Sequence, residues 1–151
     1  MADDSRKNPY PSFRFKATIQ GVTVTGFNEI SGLTFETDVQ TFREGGFNYG
    51  ERQLAGPAKS SRLTLKRGLA DVDELWSWYS DVMEGQIERK DIRIILLDQH
   101  GQERWGWSFA NACPVKWTGP ALQAAGSQIA FESLELIHDG LQPGTPSGLK
   151  G

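Results

Sequence analysis

Alternating apolar and polar residues predict a mainly β chain of the α+β class, with one flanking helix. Three observations carry this expectation: period-two runs at residues 13–19, 33–42 and 62–66, one run at helical spacing over residues 71–84, and turn residues between them.

In the first run Phe13, Phe15, Ala17 and Ile19 alternate with Arg14, Lys16 and Thr18, the pattern of a strand with one face buried. Gly21 turns this strand into a second one over residues 22–27. Further on, Phe35, Thr37 and Val39 share one face while Glu36, Asp38 and Gln40 share the other, so one face is built for water. Residues 43–60, REGGFNYGERQLAGPAKS, carry four Gly and one Pro and predict a loop, longer than compact domains keep without a function. The strand that follows points Leu63 and Leu65 inward and Arg62, Thr64 and Lys66 outward.

Asp71 with Glu74 three residues later makes a capping-box start, after which Val72, Leu75, Trp76, Tyr79, Val82 and Met83 recur at helical spacing until Gly85 stops the helix. Trp78 falls on the flank of that stripe and is expected to be only partly covered by its own domain. Residues 92–97 form a continuous apolar strand, 98–101 (DQHG) a turn, 103–112 a hairpin partner and 128–137 the last strand. The polar stretch 1–12, with Pro9 and Pro11, and the QPGTPSGLKG stretch 142–151 read as weakly ordered arms on a single body spanning 13–141.

A chain of 151 residues suits one domain with one core. Five Trp in an aromatic share of 11% suggest that some rings lie at an interface. The net charge of −3 lacks the basic excess that specific nucleic-acid binding demands, although a lumen through which DNA merely passes is compatible with it. Cys113 is the only cysteine, which excludes an internal disulfide and suits a small buried hydrophobe. No apolar run marks a signal peptide at residues 1–12, and no stretch approaches the roughly 18 apolar residues of a membrane span, so synthesis in the cytoplasm is expected.

Catalytic chemistry finds little footing. His100 and His138 have no Cys or Glu at metal spacing and fit no triad signature, and both are expected at solvated turn and strand-end positions. Glu36 and Asp38 share a strand face and could imitate an acid/base pair, but a hydrophilic wall paired across strands with Arg62 or Lys66 is the better reading. The glycines of residues 45–50 lack the Lys-Ser/Thr of a phosphate-binding loop, which leaves a contact loop or an ordinary surface loop. Trp105, Trp107 and Phe109 share one face opposite Gly106, Ser108 and Ala110, as core packing requires, and the small face would let another layer approach.

Several short words recur in a familiar order: Ser31-Gly32-Leu33, Arg43-Glu44-Gly45-Gly46, Leu54 with Gly56, Leu63-Thr64-Leu65-Lys66-Arg67-Gly68, and Leu75-Trp76 with Trp78. They continue as Asn111-Ala112-Cys113-Pro114-Val115-Lys116-Trp117-Thr118-Gly119-Pro120, then Ala130-Phe131-Glu132-Ser133-Leu134-Glu135-Leu136-Ile137-His138-Asp139-Gly140-Leu141. Together they resemble the tail-tube family of contractile phages and phage-tail-like contractile injection systems, over residues 13–141. Cys113 departs from the pattern, where a bulkier or aromatic residue is expected.

The resemblance implies a β-barrel-like sandwich of two packed antiparallel sheets with the helix at its flank. It implies a structural, non-enzymatic subunit that forms hexameric rings stacked into a hollow tube, delivering cargo and puncturing a target envelope. Its implied partners are further copies of itself, a contractile sheath protein, baseplate and spike proteins, a tube terminator and cargo in the lumen, with no cofactor. On the same basis Glu36, Asp38, Gln40, Arg62, Thr64 and Lys66 are expected to line the lumen. Ring stacking is expected from Arg43, Glu44, Phe47, Tyr49, Glu51, Arg52 and Leu54, and Trp78 is a candidate for a subunit interface. The particle is either a released bacterial injection system or a phage tail delivering DNA as part of a virion. From other classes, a small β-barrel that binds an apolar ligand is the rival, and a hydrolase is a distant third.

Overall fold

One strand organises the molecule. In the computed structural model, which describes residues 14–20, 22–24, 26–43, 45, 50–69, 74–126 and 129–148, residues Glu103–Thr118 run as a single 16-residue strand that belongs to two layers. In chain order the strands are β1 (Arg14–Ile19), β2 (Val22–Val24), β3 (Phe27–Ser31), β4 (Phe35–Phe42), β5 (Arg52–Ser60) and β6 (Leu63–Gly68), followed by helix α1 (Glu74–Met83). Then come β7 (Lys90–Leu97), the long β8, β9 (Phe131–Ile137), β10 (Gly140–Gly144) and a 3-10 turn at Pro146–Gly148. The large sheet is antiparallel throughout, in the order β2-β1-β7-β8-β9-β6-β3, with β10 beside β8 and β4–β5 as a separate two-stranded ribbon.

The sheet turns a corner within β8. Its first part, from Gly106 to Ala110, pairs with β7 on one side and β10 on the other, whereas Cys113 to Thr118 pairs with β9. Asn111 stands between them at φ 51°, a left-handed conformation that Asn tolerates better than most side chains. Its amide donates to Asp91 Oδ1 at 3.0 Å and its side-chain nitrogen to Asp139 Oδ2 at 3.0 Å, which fixes the bend.

Folding at that corner brings the inner faces of two layers together. Ala17, Ile19, Ile92, Ile94 and Phe109 from one layer meet Phe27, Leu63, Leu65, Leu134 and Leu136 from the other, with Leu75 and Trp78 of α1 in the same cluster. The barrel-like sandwich is therefore realised as one bent sheet, not a closed barrel, and Cys113 is buried in it as expected.

Four expectations change. Residues 52–60, expected as loop, form β5, where the signals that suggested a loop are accommodated at a bulge: Asp38 faces Gly56-Pro57, and the register shifts between Thr37 and Val39. Residues 142–144, expected as part of an arm, complete β10, and Arg93 Nη2 holds the following turn through the carbonyl of Pro146 at 2.6 Å. Trp78 is buried, 4% exposed, because Leu75, Trp78, Tyr79 and Val82 make the i, i+3, i+4, i+7 stripe that packs inward. Its Nε1 donates to the Glu88 carbonyl at 3.1 Å, so it is not a free interface residue. His138 is not a solvated strand end, since both ring nitrogens are enclosed and its ring meets Phe109 edge-on at 4.9 Å. Residues 71–73, with the expected cap Asp71, lie outside the described residues.

Candidate assembly surface

Strict alternation along β6 and β9 builds a layer with two unlike faces. Inward go Leu63, Leu65 and Arg67 from β6, and Glu132, Leu134 and Leu136 from β9. Outward, register pairs align polar residues across four strands in two rows. Lys116, Glu135, Thr64 and Ser31 make the first row, and Thr118, Ser133, Lys66 and Glu29 the second. Lys116 Nζ lies 3.5 Å from Glu135, and Arg62, just before β6, lies 3.9 Å from the same carboxylate. This face is wettable and carries both signs of charge.

One charged pair points the wrong way and is satisfied there. Arg67 sits directly opposite Glu132 on the buried face, with Nε 2.9 Å from its carboxylate. Arg67 Nη2 reaches Glu74 of α1 at 2.8 Å, and Trp117 Nε1 donates to the second Glu132 oxygen at 3.1 Å. Burial pulls the Arg67 guanidinium down, but the hydrogen bonds to Glu132 and Glu74 outweigh it, and it is held above its ordinary value. The cluster ties β6, β8, β9 and the first turn of α1 together, and the reading of the sequence did not single it out. The available signal was two opposite charges in phase with leucines on neighbouring strands.

Both margins of this layer are open among the described residues: β3 on one side, and β8 from Cys113 to Thr118 on the other. Unpaired N–H and C=O groups along a strand are a template for another strand. The margins are opposite in charge, since Glu29 stands on β3 and Lys116 on β8.

The β4–β5 ribbon leaves this layer beside the Ser31 and Leu63 ends of β3 and β6. At the exit Gly32 has φ 96°, and a Cβ there would stand 1.9 Å from the Arg62 carbonyl oxygen, so only glycine lets the two strands pass. Every β4 residue is exposed. Cross-strand partners share a face, so Phe35, Thr37, Val39 and Thr41 lie with Ser60, Ala58, Ala55 and Gln53, a face without charge. The reverse face holds Glu36 opposite Lys59, Gln40 opposite Leu54 and Phe42 opposite Arg52. Phe35, Val39, Phe42 and Leu54 remain 52%, 58%, 48% and 53% exposed. An isolated two-stranded ribbon is marginal in water, so this one is unfinished by itself.

The structure therefore splits the expected lumen residues. Thr64 and Lys66 lie together on the polar face of β6, with Arg62 at its edge, whereas Glu36, Asp38 and Gln40 lie on the ribbon. Asp38 pairs not with Arg62 or Lys66 but with Lys59, at 2.7 Å. Of the expected stacking residues, Arg52 and Leu54 are on β5, Arg43 and Glu51 are exposed beside the ribbon, and Glu44, Phe47 and Tyr49 lie outside the described residues. No group of three or more His, Cys, Asp or Glu side chains placed to hold a metal occurs among the described residues. Nor is any helix among them long and apolar enough to cross a membrane.

Comparison with known proteins points the same way. The family model described as the T4-like virus tail tube protein gp19 matches residues 11–142. A solved structure from the anti-feeding prophage baseplate, 6-fold symmetrised, superposes with a TM-score of 0.84 at 26% identity, covering 91% of this chain and 97% of that one. A chain from the sheath-tube complex of the PVC extracellular contractile injection system in its extended state gives 0.83 at 28% identity, covering 94% and 95%. One from the anti-feeding prophage tube-terminating cap gives 0.82 at 28% identity, covering 92% and 93%. A search of curated protein sequences finds no match.

Proposed function

The chain belongs to the T4-like virus tail tube protein gp19 family, and from that premise we propose that it is the inner-tube subunit of a contractile phage-tail-like injection system. The observation that carries this reading is the four-stranded layer with a polar outer face and two open margins of opposite charge. Strand directions alternate along β8-β9-β6-β3, so a rotated copy presents its β8 antiparallel to the first copy's β3. Repeating that joint closes a ring whose strands form one continuous barrel, and no margin is left to aggregate. Glu29 of one copy then faces the Lys116 margin of the next.

On this reading the lumen wall is the polar face of β3, β6, β8 and β9, with Thr64 and Lys66 in it and Arg62 at its rim. Its mixed charge keeps the channel wet and weakly adhesive to cargo. Glu36, Asp38 and Gln40 move with the ribbon to the contact between rings, alongside Arg43, Glu51, Arg52 and Leu54. The likeness to a chain of the 6-fold symmetrised prophage baseplate supports rings of six copies. Sheath, baseplate, spike and terminator proteins are the corresponding partners. The subunit performs no chemistry; the sheath does the work, and the tube transmits thrust and encloses what is delivered. Phage DNA delivery is the second reading, and the likeness to injection-system tubes over more than nine-tenths of the chain favours the first. The apolar-ligand carrier loses support because leucine, isoleucine and phenylalanine side chains fill the space between the layers.

Analytical ultracentrifugation and negative-stain microscopy test the proposal. Rings and hollow tubes are expected at high concentration or beside the baseplate. A chain that stays monomeric under every ionic condition refutes it.

A further inference from the structure

The outward face of the β8-β9-β6-β3 layer is polar, but one of its ends is not bare. Register pairs put Ser31, Leu63, Leu136 and Cys113 at the end where the ribbon leaves, and Phe27, Gly68, Phe131 and Thr118 toward the other. Over that second end stand Leu122 and Ile129, from the segment 119–130 that joins β8 to β9 and contains no charged residue. They are 85% and 70% exposed, more than any other large hydrophobic side chain among the described residues. Between them and the layer lies an open groove of about 540 Å³, within the range of roughly 300–1,000 Å³ that ligand sites occupy. Its floor carries the hydroxyls of Thr64, Thr118 and Ser133, and Lys66, whose Nζ lies 5.1 Å from the centre of the Phe131 ring.

We infer that this groove seats an extended segment of a polypeptide enclosed in the tube, with a large apolar side chain against Leu122 and Ile129 and main-chain groups against the hydroxyls. The inference rests on the tube reading above and names the class of cargo and the place that holds it. Thr64 and Lys66 belong to the lumen wall in that reading, so the groove opens into the channel and only what the channel encloses can reach it. Position thus excludes the sheath.

Charge then selects among cargoes. Lys66 stands opposite Glu29, Glu132 at the groove's edge is already taken by Arg67 and Trp117, and the overhanging segment adds no charge. A phosphate backbone would find one cation with a carboxylate beside it, too little neutralisation to hold a strand. Hydroxyls both donate and accept, which suits the N–H and C=O groups of any peptide, and two exposed aliphatic side chains gain from being covered by a third. One seat is small and its hold is weak. Repetition around and along the channel multiplies that hold while leaving each contact easy to break as the cargo departs.

Fluorescence anisotropy with free subunits compares three fluorescein-labelled probes: a glycine–serine peptide carrying leucines, the same peptide with serine at each leucine, and a single-stranded oligothymidylate. The leucine peptide should bind more than tenfold more tightly than the other two. Leu122→Ser with Ile129→Ser should remove that advantage while leaving tubes of normal length, since both side chains are exposed in the subunit. Equal binding of the two peptides, tighter binding of the oligonucleotide, or an advantage that survives the double change overturns the inference. So does the loss of long tubes in the double variant, which would put these two side chains in a joint between copies.

Thiol labelling of assembled tubes checks which way the groove faces. In a Cys113→Ala background, Leu122→Cys should react with a small maleimide and be shielded from a maleimide bearing a polymer too bulky for the channel. Labelling by both would put the segment on the outside of the tube, and labelling by neither would put it in a joint; either result overturns the inference. Failure of the unmodified chain to form rings would instead sink the tube reading itself, and peptide binding to the free subunit would still be measurable.

Discussion

The layer β8-β9-β6-β3 and the ribbon β4–β5 are written in the same alternating pattern, yet only one of them has an inside. Leu63, Leu65, Leu134 and Leu136 are fully buried against the opposite layer, whereas Phe35 and Val39, equally regular in spacing, stay more than half exposed. Period-two alternation says which side chains share a face. It does not say whose surface will cover that face, and in a self-assembling chain the cover can be another copy.

The sharpest way to break this contrast is to attack the finished half. Arg67→Ala leaves Glu132 buried without its guanidinium and frees the first turn of α1. A loss of about 3–5 kcal/mol is expected, read by urea denaturation of the subunit. Arg67→Met with Glu132→Leu should recover part of it, because an apolar pair leaves no uncompensated charge on this face. A change below about 1 kcal/mol for Arg67→Ala would show that the cluster does not hold the layers together.

Next in size is the unfinished half. Deleting residues 45–55 removes the ribbon's far end and should leave subunit stability within about 0.5 kcal/mol of the parent while abolishing long tubes in negative stain. Normal tubes from that deletion would mean that the ribbon is ornament.

The open margins should respond more weakly. Glu29→Lys or Lys116→Glu sets like charges face to face at each joint and should cost roughly 0.2–1 kcal/mol per contact, multiplied around the ring. Ring yield is expected to drop for each single change and to return in the double exchange. Independent, additive losses would place the two residues at different joints.

Smallest is the β7–β8 turn. Asp98 accepts from the amides of Gln102 and His100 and from Arg104 Nε, which hold its carboxyl below the usual range, the Gln102 amide contributing most. A depressed folded value gives stability that is present above the unfolded pKa of about 3.9 and lost as pH falls through the folded one. Asp98→Asn should therefore lower Tm slightly at pH 7 and make no difference near pH 2. An equal loss at both pH values would trace the effect to geometry instead.

Much of this was legible beforehand. The inward leucines of β6, the apolar run of β7 and the 98–101 turn follow from alternation and turn chemistry, as does the buried place of Cys113. β5 and β10 were not legible, and for one physical reason. Each carries Gly and Pro, which argue against a strand, and each lies outside the central ladder, where a missing N–H is tolerated; in β5 a bulge also absorbs the extra residue. Trp78 was misplaced because Trp76 and Trp78 compete for one stripe. Their order is decided by the sheet, which offers Trp117 to Trp76 at 4.7 Å, edge-on, and the Glu88 carbonyl to Trp78. The split of the candidate lumen residues could not be read from phase, since β4 and β6 alternate alike but belong to different sheets.

Hydrogen–deuterium exchange of the free subunit and of the assembled tube tests the central claim most directly. Amides of β6 and β9 should be protected in both states, while those of β4 and β5 should exchange quickly in the subunit and become protected in the tube. A ribbon already protected in monodisperse subunits, or still unprotected in tubes, would contradict the claim that copies of this chain finish what one copy leaves open.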